Sequence, residues 1–106
     1  MKLGIVVYSN EAETVWNAFR IANFALALGD SVSAFLIGQG VTFESVGAAP
    51  FDVNGQVQTF LRTGGKLLAC GTCLEIHGIK ATDLYRVSTL KDAYEILRDS
   101  DTVVTF

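Results

Sequence analysis

Apolar and polar positions alternate along the chain in blocks that switch between two periods. Leu3 to Tyr8 is a continuous apolar run rich in β-branched residues, the signature of a strand covered on both faces. Ser9-Asn10 ends it, and Asn10 followed by Glu13 has the form of a capping box for a helix from about Glu11 to Leu28. Glu13, Asn17 and Arg20 share one stripe of that helix, while Val15, Trp16, Phe19, Ala22 and Leu26 occupy other faces. Gly29 supplies the left-handed residue that commonly follows a helix. Ser31 to Ile37 reads as a second strand, closed by Gly38-Gln39-Gly40.

The middle of the chain is less regular. Val41 to Phe51 holds at most one helical turn, around Phe43–Val46, and a loop through the only proline, Pro50. Val53, Val57, Phe60 and Leu61 then have helical spacing, stopped by Gly64-Gly65. Lys66 to Cys70 is a third buried strand, and a short helix follows from Thr72 to His77 with Gly78 as its stop. Tyr85 to Ser88 forms a short strand. Ser88 or Thr89 caps a helix through about Arg98, with Leu90, Ala93, Tyr94 and Leu97 as its apolar face. Asp101 to Phe106 is the last strand. Strands alternating with helices predict one α/β domain over residues 1–106, a three-layer α/β/α arrangement around a mainly parallel five-stranded sheet.

Composition narrows the function. Half of the 106 residues are hydrophobic and only 18% are charged. So small a domain has a large surface for its volume, so part of this apolar surplus must lie outside the core, and a homo-oligomer is expected. The net charge is −3 and the eight lysines and arginines are scattered singly, which argues against direct nucleic-acid binding. The most apolar stretch, Ile21 to Leu28, contains Asn23 and falls well short of the roughly 20 residues that span a bilayer. Nor does the N-terminus read as a cleavable leader. A cytoplasmic location is expected, where closely spaced cysteines suggest reactive thiols or a metal site more than a structural staple.

Ligands of open parallel sheets gather beyond the carboxyl ends of the strands. Three such places occur here: Tyr8-Ser9-Asn10, Gly38-Gln39-Gly40 and Cys70-Gly71-Thr72-Cys73, of which only the last carries a nucleophile. Cys70 closes a strand and Cys73 falls in the first turn of a helix, where free amides favour a thiolate and are expected to lower its pKa. Gly71 lets the backbone approach a bound anion or sulfur, and Thr72 is placed to cap the helix or to donate to a thiolate. Ser9 and Asn10 are candidates to face the same cavity. The alternative is that both cysteines are small buried hydrophobes. His77, the only histidine, is most simply a polar residue on an exposed helix end. Cys70, Cys73 and His77 would give three zinc ligands where a structural site wants four, and no further Cys or His exists. No cofactor or metal is expected. Glu75 reads as solvated, Trp16, Phe19 and Phe24 as core or interface, and the glycines at 38 and 40 fall short of a full dinucleotide motif.

The segment Leu67-Leu68-Ala69-Cys70-Gly71-Thr72-Cys73-Leu74-Glu75-Ile76-His77-Gly78-Ile79 closely resembles the cysteine-bearing loop of the DsrE/DsrF-like (TusD-type) sulfur-relay family. The opening Ile5-Val6-Val7-Tyr8-Ser9, the Gly64-Gly65 pair, Ser88-Thr89-Leu90 and the ending Asp101 to Phe106 are similar to it as well. Members include sulfurtransferase subunits used in tRNA thiolation and in sulfur oxidation. In the relay members a loop cysteine accepts a persulfide sulfur and passes it on. That cysteine precedes a glycine by the spacing of Cys70 from Gly78, so the resemblance assigns the role to Cys70. Cys73 is shared with only a subset of relatives, which leaves dithiol redox chemistry and a non-catalytic assembly role as alternatives. The resemblance also implies sulfur donor and acceptor proteins as partners, and trimers or hexamers.

Overall fold

The computed structural model describes all 106 residues. Its elements are β1 (Lys2–Val7), α1 (Ala12–Ala27), β2 (Ser31–Leu36), a 3₁₀ helix (Gly38–Ser45), α2 (Val53–Arg62), β3 (Lys66–Cys70), α3 (Gly71–Ile76), β4 (Arg86–Ser88), α4 (Leu90–Asp99) and β5 (Thr102–Thr105). The five strands form one sheet in the order β4-β3-β2-β1-β5, and every neighbouring pair is parallel. The expected α/β architecture is therefore observed, with a sheet that is parallel throughout.

Because side chains alternate across a strand, each strand feeds two cores. Leu3, Ile5 and Val7 of β1, Val32, Ala34 and Leu36 of β2, and Leu67 and Ala69 of β3 point to one side. There they pack with Val15, Phe19 and Ala22 of α1, Val57 and Phe60 of α2, and Leu74 of α3. Phe19 and Phe60 meet edge-on with ring centroids 5.5 Å apart, a favoured aromatic geometry. On the other side, Phe35, Leu68 and Cys70 make a small second cluster covered by Ala93 and Ile96 of α4.

Only one helix covers that second face, and this changes the role expected of its apolar residues. Leu90, Tyr94 and Leu97 are 66%, 62% and 49% exposed, and α4 contains no buried residue. A lone helix on a small sheet contacts it along a narrow stripe, here Ala93 and Ile96, so the rest of its apolar surface faces outward.

The cap of α1 also differs from expectation. Glu11, not Asn10, is the N-cap, its carboxylate accepting from the N–H groups of Glu13 (3.3 Å) and Thr14 (2.7 Å). Ser9 Oγ in turn accepts from the Glu11 N–H at 3.0 Å, which turns the chain one residue later than a cap at Asn10 would. The contacts with Thr14 first, and then with Glu13, hold the Glu11 carboxyl below the usual range.

Candidate functional site

β3 and β4 are hydrogen-bonded neighbours, yet the chain leaves their carboxyl ends toward opposite faces. After β3 it enters α3, whose Leu74 joins the main core, and after β4 it enters α4 on the other side. Divergent connections of this kind open a crevice at the strand ends, the usual place for ligands in parallel α/β sheets. A cleft of 630 Å³ lies there, lined by Ile37, Cys70, Gly71, Thr72, Cys73, Glu75, Val87, Ser88, Thr89 and Leu90.

Cys70 ends β3 and is the N-cap residue of α3, with φ −64° and ψ 116°. Its own surface is only 4% exposed, so it forms part of the cleft's floor rather than a projecting thiol. Cys73 is half-buried, packed between the two clusters of the core, and neither cysteine is in a disulfide. The N–H of Gly38 points at it, donating to Cys73 Sγ at 3.2 Å. Gly38 holds φ +57°, a left-handed conformation that favours glycine and ends the approach from β2.

The thiol of Cys73 is pushed up, not down as the helix-terminus argument expects. Burial is the main cause, followed by the neighbouring Cys70 thiol, and the Gly38 N–H only partly opposes them. The expected effect of helix position is thus outweighed by loss of water around the sulfur. Cys73 keeps its proton near neutrality.

The remaining expected site residues divide in two. Gly71 and Thr72 line the cleft with the cysteines, but Thr72 makes no capping bond to α3. Ser9 and Asn10 do not line it. They follow β1, which β2 separates from β3 in the sheet, and Ser9 is engaged by the turn into α1. Glu75 is exposed as expected, and also forms part of the cleft wall. His77 is exposed at the end of α3, and no three His, Cys, Asp or Glu side chains converge, so the Cys70-Cys73-His77 zinc arrangement does not form. Phe19 is core, Trp16 packs edge-on against Phe51 at 5.3 Å between centroids, and Phe24 is exposed.

Sequence reasoning missed the wall contributed by Val87, Ser88, Thr89 and Leu90. Ser88 is the Cα partner of Cys70 across the β3–β4 pair, and it is the one buried polar residue of the protein. A short run ending in serine before a helix was visible, but only the pairing of β4 with β3 brings it beside the cysteines.

These features define a small parallel α/β protein with a free cysteine pair at the carboxyl edge of its sheet. The chain belongs to the DsrE/DsrF-like family, whose model matches residues 1–106. It is 30% identical over 100 residues to an uncharacterized protein of Methanocaldococcus jannaschii, covering 89% of this chain and 88% of the relative. The YchN protein of E. coli has the same fold, with a TM-score of 0.82 and 20% identity over the full length of both chains. A conserved protein of unknown function from Bacteroides thetaiotaomicron matches with a TM-score of 0.81 and 22% identity, over 99% of this chain and 94% of its own. At such identities the two solved structures support the fold alone.

Proposed function

We propose that this protein is a cytoplasmic sulfur carrier of the DsrE/DsrF-like type, accepting and passing persulfide sulfur on Cys70. The observation that carries this reading is the asymmetry of the thiols at the cleft. Cys70 lies on its floor, while Cys73 holds its proton and is tied to the Gly38 N–H. Loading is an exchange in which the Cys70 thiolate attacks the outer sulfur of a donor persulfide R–S–SH. The new S–S bond gives Cys70–S–SH, and the donor leaves as R–S⁻. Unloading is the same step with an acceptor thiolate attacking the outer sulfur of Cys70.

Cys73 offers a competing route. Its thiolate can attack the inner sulfur of Cys70–S–SH, forming the Cys70–Cys73 disulfide and expelling HS⁻. A protonated Cys73 is a poor nucleophile, so its raised pKa favours survival of the persulfide over this dithiol redox reaction. The alternative role as an assembly subunit shares one supporting feature with the carrier. Two exposed apolar stripes, Ile21 and Phe24 on α1 with Leu28 at its end, and Leu90-Tyr94-Leu97 on α4, favour assembly with further copies of the chain or with donor and acceptor proteins.

Incubation with a sulfane-sulfur donor, followed by persulfide-selective labelling, tests the carrier reading. Labelling is expected in the unmodified protein and in Cys73→Ser, and is expected to vanish in Cys70→Ser. Equal labelling of Cys70→Ser would overturn the proposal.

A further inference from the structure

Ser88 stands out because, apart from the hydroxyl on the buried ring of Tyr85, polar side chains in this protein are exposed or half-exposed, whereas Ser88 is only 6% exposed. Register pairs it with Cys70 on the adjacent parallel strand, so the two side chains leave the same face of the sheet. Neighbouring strands lie about 4.8 Å apart, so the register sets the serine and cysteine side chains next to each other on that face. Both residues line the cleft.

The hydroxyl's partners give it a direction. Ser88 Oγ accepts from Arg86 Nε at 3.4 Å, and Arg86 is steadied by Asp92 at 3.3 Å on the first turn of α4. Ser88 donates to no protein acceptor. With one lone pair turned toward a guanidinium, its proton remains available to an acceptor in the cleft, and the neighbouring acceptor on the same face is the sulfur of Cys70. A hydroxyl polarised by a cation is a better donor, and hydrogen bonds to an ionised acceptor are about twice as strong as neutral ones.

We propose that Ser88 donates a hydrogen bond to the sulfur anion on Cys70, with Arg86 as a positioning residue that orients the hydroxyl. This deepens the carrier reading and rests on it for its purpose, since the donor would steady the Cys70 sulfur as the attacking thiolate in loading and as the leaving thiolate in unloading.

The test is the rate of alkylation of Cys70 by iodoacetamide as a function of pH, in a Cys73→Ser background so that one thiol is read. Ser88→Ala is expected to slow the reaction at pH 7 about tenfold and to move the pH profile to higher pH. Ser88→Thr, which keeps the hydroxyl, should restore most of the rate. An unchanged profile in Ser88→Ala, or a Ser88→Thr variant as slow as the alanine, overturns the inference. Should Ser88→Ala fail to fold, Arg86→Met reads the same claim from an exposed position, with a smaller shift in the same direction expected and an unchanged profile fatal. Alkylation requires no sulfur transfer. A slowed Ser88→Ala in a protein that never loads sulfur would retain this inference and reject the carrier, and the converse result would do the opposite.

Discussion

Replacing Cys73 with serine removes the thiol that competes for sulfur held on Cys70, and the structure says how that competition depends on pH. An ordinary cysteine, with a pKa near 8.5, is about 3% thiolate at pH 7. Burial between the two clusters and the nearby Cys70 thiol move Cys73 above its ordinary value, so its reactive fraction near neutrality is smaller still. Below its pKa, the thiolate fraction of any thiol grows about tenfold per pH unit. The rate at which loaded protein expels hydrosulfide should therefore climb about tenfold per unit from pH 7 and go on climbing past 8.5, where an ordinary thiol levels off. In Cys73→Ser this pH-dependent release should disappear. The assay loads the protein with a sulfane-sulfur donor, removes the excess by desalting, and follows hydrosulfide with a selective electrode at a series of pH values. Rapid release at pH 7 that levels off below pH 8.5 would refute the reasoning, as would an identical profile in Cys73→Ser. The first result would make the pair a dithiol redox centre, and the second would remove Cys73 from the release step.

Three further predictions address the scaffold. Glu11→Ala removes the acceptor for the first amides of α1, so Tm at pH 7 should drop. Because the folded Glu11 carboxyl is depressed, its contribution is present above its ordinary 4.5 and is lost as pH falls through the lower folded value, so the gap in Tm between variant and parent should narrow in acid. In Gly40→Ala, the new methyl would collide with the carbonyl oxygen of Val7 and lie 2.7 Å from its carbonyl carbon, both rigid backbone. Overpacking of this kind costs about 1–3 kcal/mol, read as a Tm lowered by about 4–8 °C for each kcal/mol, and an unaltered Tm would contradict the close approach of the 3₁₀ helix to β1. Leu90→Glu combined with Tyr94→Glu charges the outer stripe of α4 without touching the core, so a lower mass in analytical ultracentrifugation with an unchanged circular dichroism spectrum is expected. An unchanged mass would exclude that stripe from an assembly interface.

Much of the fold is legible in local sequence because parallel strands buried on both faces must be apolar throughout. Leu3 to Val7 and Leu67 to Cys70 carry that mark without help from context, and Val32 to Leu36 carries it apart from Ser33. The placement of Cys70 at a strand end and Cys73 in a first helical turn is likewise local, and the structure has both. What depends on other parts of the chain was not legible. Leu90, Tyr94 and Leu97 have the spacing of a core face, but whether such a face meets a sheet or solvent depends on how many helices share that side. The choice of Glu11 over Asn10 as cap depends on how Ser9 turns the chain. Ser88 enters the site only through parallel pairing with a strand some twenty residues earlier, a register that no local pattern specifies. The Cys73 thiol misled for the same reason. Its position on α3 favours ionisation, while the burial that prevents it comes from both clusters, with the Cys70 thiol adding to it.

The most direct test of the account is mass spectrometry of the intact and digested protein after exposure to a sulfane-sulfur donor at pH 7. A gain of one sulfur atom mapped to Cys70, and its loss on addition of a thiol acceptor with Cys73 still reduced, is the predicted result. Loss of two hydrogens across Cys70 and Cys73, or sulfur retained in Cys70→Ser, would contradict it.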